Sequence, residues 1–455
     1  MTVVLELADR GRRAVRLSAA AAAATAGFVL DTVGCAVAGA GHPLAAALAA
    51  SVAGLREGST PSMRDRVATE ATLAHVDELD AFHTRAAVLP CATVVPVALE
   101  LARHHEVTGP QLLGAVAAGA EVIVEAAVRF DAAALYTAGW WPTALFGGLG
   151  AAMAASTLLG HDEAATVHAL ALAASGLGGL LSADELAAGH YRLVGRAAAD
   201  GLDAAIGAGA GLRASSTVLD APAAAALRRP AGPATSRDIP HLLNSTIKMF
   251  ACARPLHAVI EALAELGQRG HDATGADLVR IGLPSATLRF VTDERRPAGP
   301  MEAATSAAYV LTAFLAGRAD DPAFFRAVGP VEAPDVELVA DPDLDARYPA
   351  QWGARVELFG SDPASVTVDD ARGGPGRAWT TAQRHAKFDR LVQPYWPRPE
   401  AADWAARCAR LPEISDSICD WARQQPVMAG WALSAPSYTS VRFSPLIPSA
   451  KPSPP

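Results

Sequence analysis

The sequence predicts a mostly α-helical protein in which a smaller α/β lid domain is inserted into a large all-helical domain. Apolar residues recur at spacings of three and four from Leu17 to about Ala264, which is typical of helices. The pattern then alternates in short stretches, and helical periodicity returns near the C-terminus. With 455 residues, 51% of them hydrophobic, the chain is long enough for more than one hydrophobic core.

The helical part is predicted from this periodicity and from its interruptions, since Gly or Pro breaks the pattern roughly every 12 to 25 residues. Helices are expected at Ala19–Ala38, Leu89–His105, Gly109–Ala127, Gly147–Leu159, Ala164–Leu180 and Arg196–Ala208. Asp162 is expected to cap the helix that follows it. The glycines of Gly147–Gly150 indicate close helix packing, because they lack the preceding strand and the following acidic residue of a dinucleotide site.

Around Asp272 the pattern changes to that of an α/β module. A helix is expected at Met301–Ala316. Strand-like stretches are expected at Leu278–Leu283, Val336–Asp345, Arg355–Phe359 and Ser365–Asp369. Helices return at Ala401–Leu411 and Ile414–Gln425, before a Ser- and Pro-rich end. We therefore predict the helical domain over 1–267, the lid over 268–400, returning helices over 401–433 and a disordered tail over 434–455.

Composition excludes several classes of partner. The formal net charge of -9 gives no general attraction for nucleic acid or for an anionic membrane. The N-terminal segment lacks the order of a secretion signal, and the Ala-rich runs are too short or too interrupted to span a membrane. The five cysteines have no CxxC spacing and are expected to be reduced. We expect a cytoplasmic protein without nucleic-acid or membrane partners.

Four segments resemble the MmgE/PrpD family, which includes 2-methylcitrate dehydratase, cis-aconitate decarboxylase and iminodisuccinate epimerase. They are Phe28–Gly39, the acidic loop His75–Pro90, Gly139–Thr143 and Lys248–His257, and further similarity runs in order over about Leu17–Leu391. The resemblance implies a helical domain with an α/β lid, a homodimer, and a site in the cleft between the domains. We expect no cofactor and no metal, because the sequence has neither an HExxH motif nor clustered Cys and His ligands.

The acidic loop contains His75, Asp77, Glu78, Asp80 and His83 within nine positions. Taken alone, this pattern is typical of a solvated loop that caps a helix. The resemblance implies that the loop lines the cleft, and we predict His83 as the base that removes a proton next to a carboxylate. Asp80 or Asp77 would fix its tautomer and raise its basicity, and Asp77 is also a candidate for substrate binding.

The cationic candidates lie on the segment around Lys248. A lysine in an apolar stretch needs a partner or an anion, so we predict that Lys248 stabilises the enolate-like charge that follows deprotonation. The alternative is a snorkelling side chain at the domain junction. Arg254 would bind a second carboxylate or form a surface ion pair. His257 would contact substrate or lie satisfied in the core. Tyr309 resembles the family's lid tyrosine, a proton or hydrogen-bond donor, although it also suits the lid core.

Two positions depart from the family pattern. Trp141 stands where many relatives have a second histidine in the Gly-x-His-x-Thr segment. His190 falls at the position of a family lysine, and Arg192 is the nearest permanent cation. All three are candidate substrate-binding residues. The departures favour a substrate with less negative charge, as in a specialised biosynthetic pathway, or loss of activity.

These observations predict a cofactor-independent lyase that abstracts a proton next to a carboxylate or carbonyl of a small molecule and eliminates water. A decarboxylase or an isomerase would use the same carbanion-like intermediate. A catalytically inactive dimeric scaffold and a protein that binds an apolar ligand are the alternatives from other classes.

Overall fold

The computed structural model describes residues 1–56, 60–181, 188–220 and 240–426. The predicted tail over 434–455 and the last part of the predicted segment 401–433 lie outside these residues. Within them, the protein is mostly helical and has a minor α/β part, as the sequence predicts.

The helices before the sheet follow the periodicity of the sequence. Their bounds are α1 (Val3–Ala14), α2 (Ala19–Gly39), α3 (Pro43–Arg56), α4 (Met63–His75), α5 (Pro90–Ala102), α6 (Gly109–Arg129), α7 (Ala132–Thr137), α8 (Pro142–Leu158), α9 (Glu163–Ser175) and α10 (Ala188–Gly209). All six helices predicted there are confirmed, with shifted ends. Asp162 caps α9, because its Oδ1 accepts a hydrogen bond of 2.8 Å from the backbone N–H of Ala165.

The α/β part contains a four-stranded mixed sheet and the helices around it. The strands are β1 (Ala276–Leu283), β2 (Asp335–Ala340), β3 (Ala354–Gly360) and β4 (Ala364–Val368), and the helices are α11 (Pro255–Gln268), α12 (Pro300–Thr305), α13 (Ala307–Leu315), α14 (Pro322–Ala327) and α15 (Pro342–Asp345). The strand order is β2-β1-β3-β4. The β1–β2 pair is parallel, and the other two pairs are antiparallel. Helix α11 packs on β3 and β4.

The helix predicted at Ile414–Gln425 is helical only over Cys419–Arg423. Two predicted elements of the α/β part also differ from those observed. The predicted helix Met301–Ala316 is divided into α12 and α13, because Ser306 takes an extended conformation and its Oγ caps the second helix. In the predicted β-like stretch Val336–Asp345, the strand ends at Ala340. Asp341 then caps the short helix α15. In both places a polar side chain satisfies backbone N–H groups where one element ends and the next begins.

The last helices are α16 (Thr381–Val392), α17 (Arg398–Ala409) and α18 (Cys419–Arg423). Both α16 and α17 pack against α2, although α16 falls within the range predicted for the lid. Buried apolar side chains form two clusters, one mainly among the helices and one mainly between the sheet and its helices. The arrangement of an inserted lid, with boundaries at 267 and 400, stays a prediction.

Among the described residues, two helices have the length and hydropathy of a membrane span. These are α2 and α6, and 78% and 89% of their most apolar windows are buried against the rest of the chain. A core helix of a soluble protein has the same properties, and the burial is consistent with that interpretation.

Glycines bring three helices of the first part close together. A Cβ atom at Gly195 in α10 would lie 2.0 Å from the backbone oxygen of Ala68 in α4. One at Gly201 would lie 2.4 Å from the backbone oxygen of Gly148 in α8. Only residues without a side chain allow these approaches. The close packing therefore fixes the positions of α4, α8 and α10 relative to one another.

We expect Gly195→Ala to lower the free energy of unfolding by about 1–3 kcal/mol, because the added methyl group pushes α10 away from α4. Gly189→Ala in the same helix is the matched control, since nothing lies within 4 Å of a Cβ atom there. The control is expected to be neutral or to stabilise by up to about 1 kcal/mol. Urea unfolding followed by circular dichroism measures both, and equal stability of the Gly195→Ala variant and wild type would contradict the packing argument.

Candidate active site

A cavity of about 350 Å³ lies between the helical part and the α/β part. Its lining residues come from the helices and loops before residue 191 and from the segment between residues 248 and 352. This volume falls within the range of small-molecule sites. The lining is apolar over most of the wall, with a compact group of ionisable side chains at one place.

That group is a chain of alternating charges. Asp80 is completely buried, and its Oδ1 accepts a 2.9 Å hydrogen bond from Nδ1 of His75. Nε2 of His75 lies 3.5 Å from a carboxylate oxygen of Glu78. The other carboxylate oxygen of Glu78 accepts a 3.1 Å hydrogen bond from Nζ of Lys248, which is 2% exposed. Each buried charge therefore has a partner of opposite sign.

The neighbours of His75 determine its protonation state. Burial lowers its pKa, but the negative charges of Asp80 and Glu78 and the hydrogen bond to Asp80 outweigh burial, so the pKa is raised above its ordinary value. Burial likewise opposes ionisation of Glu78. Lys248, His75 and His190 outweigh that effect and lower the pKa of Glu78 to about 2. Glu78 is therefore a carboxylate at neutral pH, and His75 favours the imidazolium form.

A second histidine with the opposite pKa shift lines the same cavity. Burial, with the positive charges of His75 and Lys248, lowers the pKa of His190 to about 3. Its ring stacks on Trp141, with centroids 3.9 Å apart and planes inclined by 27°. The rings of His75 and His190 lie 5.6 Å apart. A charged and a neutral imidazole thus stand side by side at the polar end of the cavity.

The loop that carries this group is fixed from several directions. Glu78 has a φ of 56°, a left-handed conformation that a side chain rarely adopts. The backbone oxygen of Leu79 accepts a 2.8 Å hydrogen bond from Lys387. Phe82 pairs with Thr246 through two backbone hydrogen bonds of 2.9 and 2.7 Å. Strain at a site persists where the surroundings over-determine the backbone, as they do here.

Arg254 provides a buried cation on the cavity wall. It is 4% exposed, and its Nη2 donates a 3.2 Å hydrogen bond to the backbone oxygen of Ala371. Asp370 lies 3.7 Å away, and its own side chain is 34% exposed. Nε and Nη1 of Arg254 have no hydrogen-bond partner within the described part of the chain. The three N–H groups on these two nitrogens therefore have no acceptor among the described residues, which suits a side chain that binds an anion.

Five of the predicted site residues meet here. Lys248, Trp141, His190 and Arg254 line the cavity, and Asp80 reaches it through its hydrogen bond to His75. Their roles in chemistry stay predictions.

The remaining predicted residues of the acidic loop lie elsewhere. His83 is buried outside the cavity lining, where its Nδ1 accepts a 3.1 Å hydrogen bond from Ala86. Burial, and secondarily His241, lower the pKa of His83 to about 3. The expected pairing of Asp80 with His83 is wrong, because Asp80 hydrogen-bonds His75 instead. Asp77 binds Arg326 in a buried ion pair away from the cavity, with one hydrogen bond of 3.0 Å.

Three other candidates also lie outside the cavity lining. Tyr309 is buried in the core of the α/β part, where its hydroxyl donates to the backbone of Phe324 at 3.1 Å and accepts from that of Gly329 at 3.0 Å. His257 is buried, and its Nε2 donates to the backbone oxygen of Cys252 at 3.3 Å. Arg192 is exposed on α10. These surroundings agree with the alternative given for each residue: Tyr309 fills the core of the α/β part, and His257 is a core histidine with a hydrogen-bond partner.

Sequence reasoning included His75 and Glu78 in the acidic loop but gave them no role. The signal for His75 was its place at the end of a helical pattern, five residues before Asp80, where the chain reverses and brings the two side chains together. The sequence contains no comparable signal for Glu78, because the left-handed backbone that directs it to Lys248 depends on tertiary contacts.

Three residues of the cavity have the donor set of a metal site. One ligand atom each from His75, Glu78 and His190 lies within 4.8 Å of the others. Two imidazoles and a carboxylate would suit a divalent transition metal, and Asp80 would orient His75. However, Lys248 already supplies a positive charge to Glu78 at 3.1 Å. The group therefore suits proton transfer as it stands, and the absence of a metal requirement stays a prediction.

Comparison with known proteins identifies the family of the chain. The model of the MmgE/PrpD N-terminal domain matches residues 11–227, and that of the MmgE/PrpD C-terminal domain matches residues 250–410. No curated protein matches the chain. The two family matches include every residue at the polar end of the cavity except Lys248, which lies two residues before the start of the second match. Since the matches cover most of the sequence in the expected order, the chain belongs to the MmgE/PrpD family.

Proposed function

We propose that this protein is a cofactor-independent lyase that removes a proton next to a carboxylate or carbonyl group and eliminates water. Members of the family are generally lyases or related enzymes. The observation that supports the proposal most strongly is the pair of histidines at the cavity, one with a raised and one with a lowered pKa. Two titratable groups whose environments shift their pKa values apart are suited to act as acid and base.

In this proposal His75 is the acid and His190 is the base. His190 has a free electron pair at neutral pH and takes the proton from the α-carbon. The negative charge of a bound substrate would raise the pKa of His190 toward the range of an effective base. His75 gives its proton to the leaving hydroxyl group, which departs as water while the carbon–carbon double bond forms.

The cations hold the substrate and its developing charge. Arg254 binds the carboxylate through N–H groups that lack a protein acceptor among the described residues. Lys248 stabilises the enolate-like oxygen, and Glu78 keeps the ammonium group in place. Asp80 orients His75 and favours its charged form.

Decarboxylation and isomerisation remain alternatives within the same chemistry, because each uses a carbanion-like intermediate that these groups would stabilise. A homodimer in the cytoplasm, acting on a small carboxylate or carbonyl compound, completes the proposal.

We expect His75→Asn to lower the rate of deuterium incorporation or of alkene formation by about 10²- to 10⁴-fold, the usual contribution of a positioned acid or base. The matched control is His83→Asn, which removes a buried histidine from the same loop outside the cavity lining. NMR in deuterated water, with 3-hydroxy acids, 2-methylcitrate, citrate, cis-aconitate and 2-amino diacids, measures both variants.

The control is expected to stay within about threefold of wild type, because His83 lies behind the wall of the cavity. A larger loss of rate in His83→Asn than in His75→Asn would indicate that His83 transfers the proton, and it would contradict the proposal.

The protonated form of His75 predicts a pH profile. Activity should fall as pH rises through the pKa of His75, which lies above the ordinary value of about 6.5. Asp80→Asn removes a negative charge that raises this pKa, so the alkaline limb of kcat/KM should move to lower pH. An unchanged limb in a folded Asp80→Asn variant would show that another group is the acid.

Metal removal is expected to leave activity within about twofold of its starting value, because the ammonium group of Lys248, and not a metal ion, neutralises Glu78. The assay compares protein dialysed against EDTA with untreated protein. Loss of activity that Zn²⁺ restores would instead favour His75, Glu78 and His190 as metal ligands.

A further inference from the structure

The wall of the cavity beyond its polar end is aromatic. Six aromatic side chains line it, and they come from both parts of the protein: Phe82, Tyr136, Trp141, Phe290, Tyr348 and Trp352. Several of them contact one another, which fixes their positions. Phe82 meets Trp352 at 5.3 Å between centroids, and Tyr136 meets Phe290 at 5.3 Å, both edge to face. Such a wall suits a flat apolar group on the ligand.

The cations of the cavity wall differ in how fully the protein pairs them. Arg289 donates a 2.8 Å hydrogen bond to the backbone oxygen of Tyr136 and lies over the ring of Phe290. His75 is paired with Asp80 at 2.9 Å, and Lys248 is paired with Glu78 at 3.1 Å. Arg254 is different, because its nearest carboxylate is 3.7 Å away and partly exposed, and two of its nitrogens lack an acceptor among the described residues. A second carboxylate placed against the aromatic part of the wall, away from these cations, would lose its hydration without compensation.

From these two features we infer that the substrate is a monocarboxylate with an aromatic or alicyclic ring. The inference rests on the proposed function for the orientation of the substrate, with the carboxylate at Arg254 and the α-carbon near His190. The ring then lies against Trp141 and the other aromatic side chains. Trp141 also forms the support on which the base stacks, at 3.9 Å between ring centroids. It is therefore both a specificity-determining and a positioning residue.

Equilibrium binding by calorimetry tests the inference without turnover. The probes are 3-phenylpropanoate, which has the ring and the carboxylate but no leaving group, citrate, and 3-phenyl-1-propanol, which lacks the charge. We expect 3-phenylpropanoate to bind at least about tenfold more tightly than either of the others, since each lacks one of the two contacts. Tighter binding of citrate, or binding of none of the three probes, would overturn the inference.

Single substitutions test the contact of the ring with Trp141 and the contact of the carboxylate with Arg254 separately. Trp141→Ala should weaken binding of 3-phenylpropanoate by about tenfold and leave binding of citrate unchanged, because citrate has no ring to lie against Trp141. The neighbouring Trp140 does not line the described cavity, and Trp140→Ala is the matched control with an expected change below about twofold. Arg254→Met should weaken 3-phenylpropanoate but not 3-phenyl-1-propanol. If Trp141→Ala is poorly folded, Trp141→Leu supplies the same comparison.

Equal binding of 3-phenylpropanoate by wild type and the Trp141 variants would overturn the role of the aromatic wall. Failure of the inference is distinguishable from failure of the proposed function. If the probes bind in the expected order and 3-hydroxy-3-phenylpropanoate shows no exchange or elimination, the ligand class stands and the reaction is wrong. If citrate or 2-methylcitrate is dehydrated while the aromatic acids do not bind, the reaction stands and the ligand class is wrong.

Discussion

The site depends on the compensation of charge among buried and nearly buried side chains. Asp80, His75, Glu78 and Lys248 form a buried chain in which negative and positive groups alternate. Removal of any one of them would leave a neighbour desolvated and unpaired, which is costly in a low-dielectric environment. The same alternation determines the protonation states. It favours a charged His75 and a carboxylate at Glu78, while the positive charges nearby help to keep His190 neutral.

This chain requires a backbone that ordinary local preferences do not provide. His75 is the last residue of α4, and Glu78 follows in a left-handed conformation. The loop holds that conformation because Lys387, from a helix more than 300 residues later, binds both Asp31 and the backbone of Leu79. Close approaches at glycine then place α10, and with it His190, against α4. The geometry of four side chains is thus a consequence of packing across the whole chain.

Much of the fold could be predicted from the sequence, because helical periodicity and alternation are local patterns. The division of Met301–Ala316 at Ser306 does not follow from the sequence, since a serine inside an apolar helix and a serine that caps a new one look alike in sequence. The acidic loop, Lys248 and Trp141 were found, but the histidine that Asp80 orients was not. His75 and His83 differ in the direction of their side chains, which is fixed by tertiary contacts that no local pattern describes.

The proposed chemistry requires two histidines of one cavity to hold different charges at neutral pH. The most direct measurement is ¹⁵N NMR of the imidazole rings of His75 and His190 between pH 5 and 9, assigned with single-histidine variants. The account predicts that His75 is an imidazolium at pH 7 and loses its proton only above the ordinary histidine range, while His190 stays neutral throughout. A neutral His75 at pH 7, or a protonated His190, would contradict it.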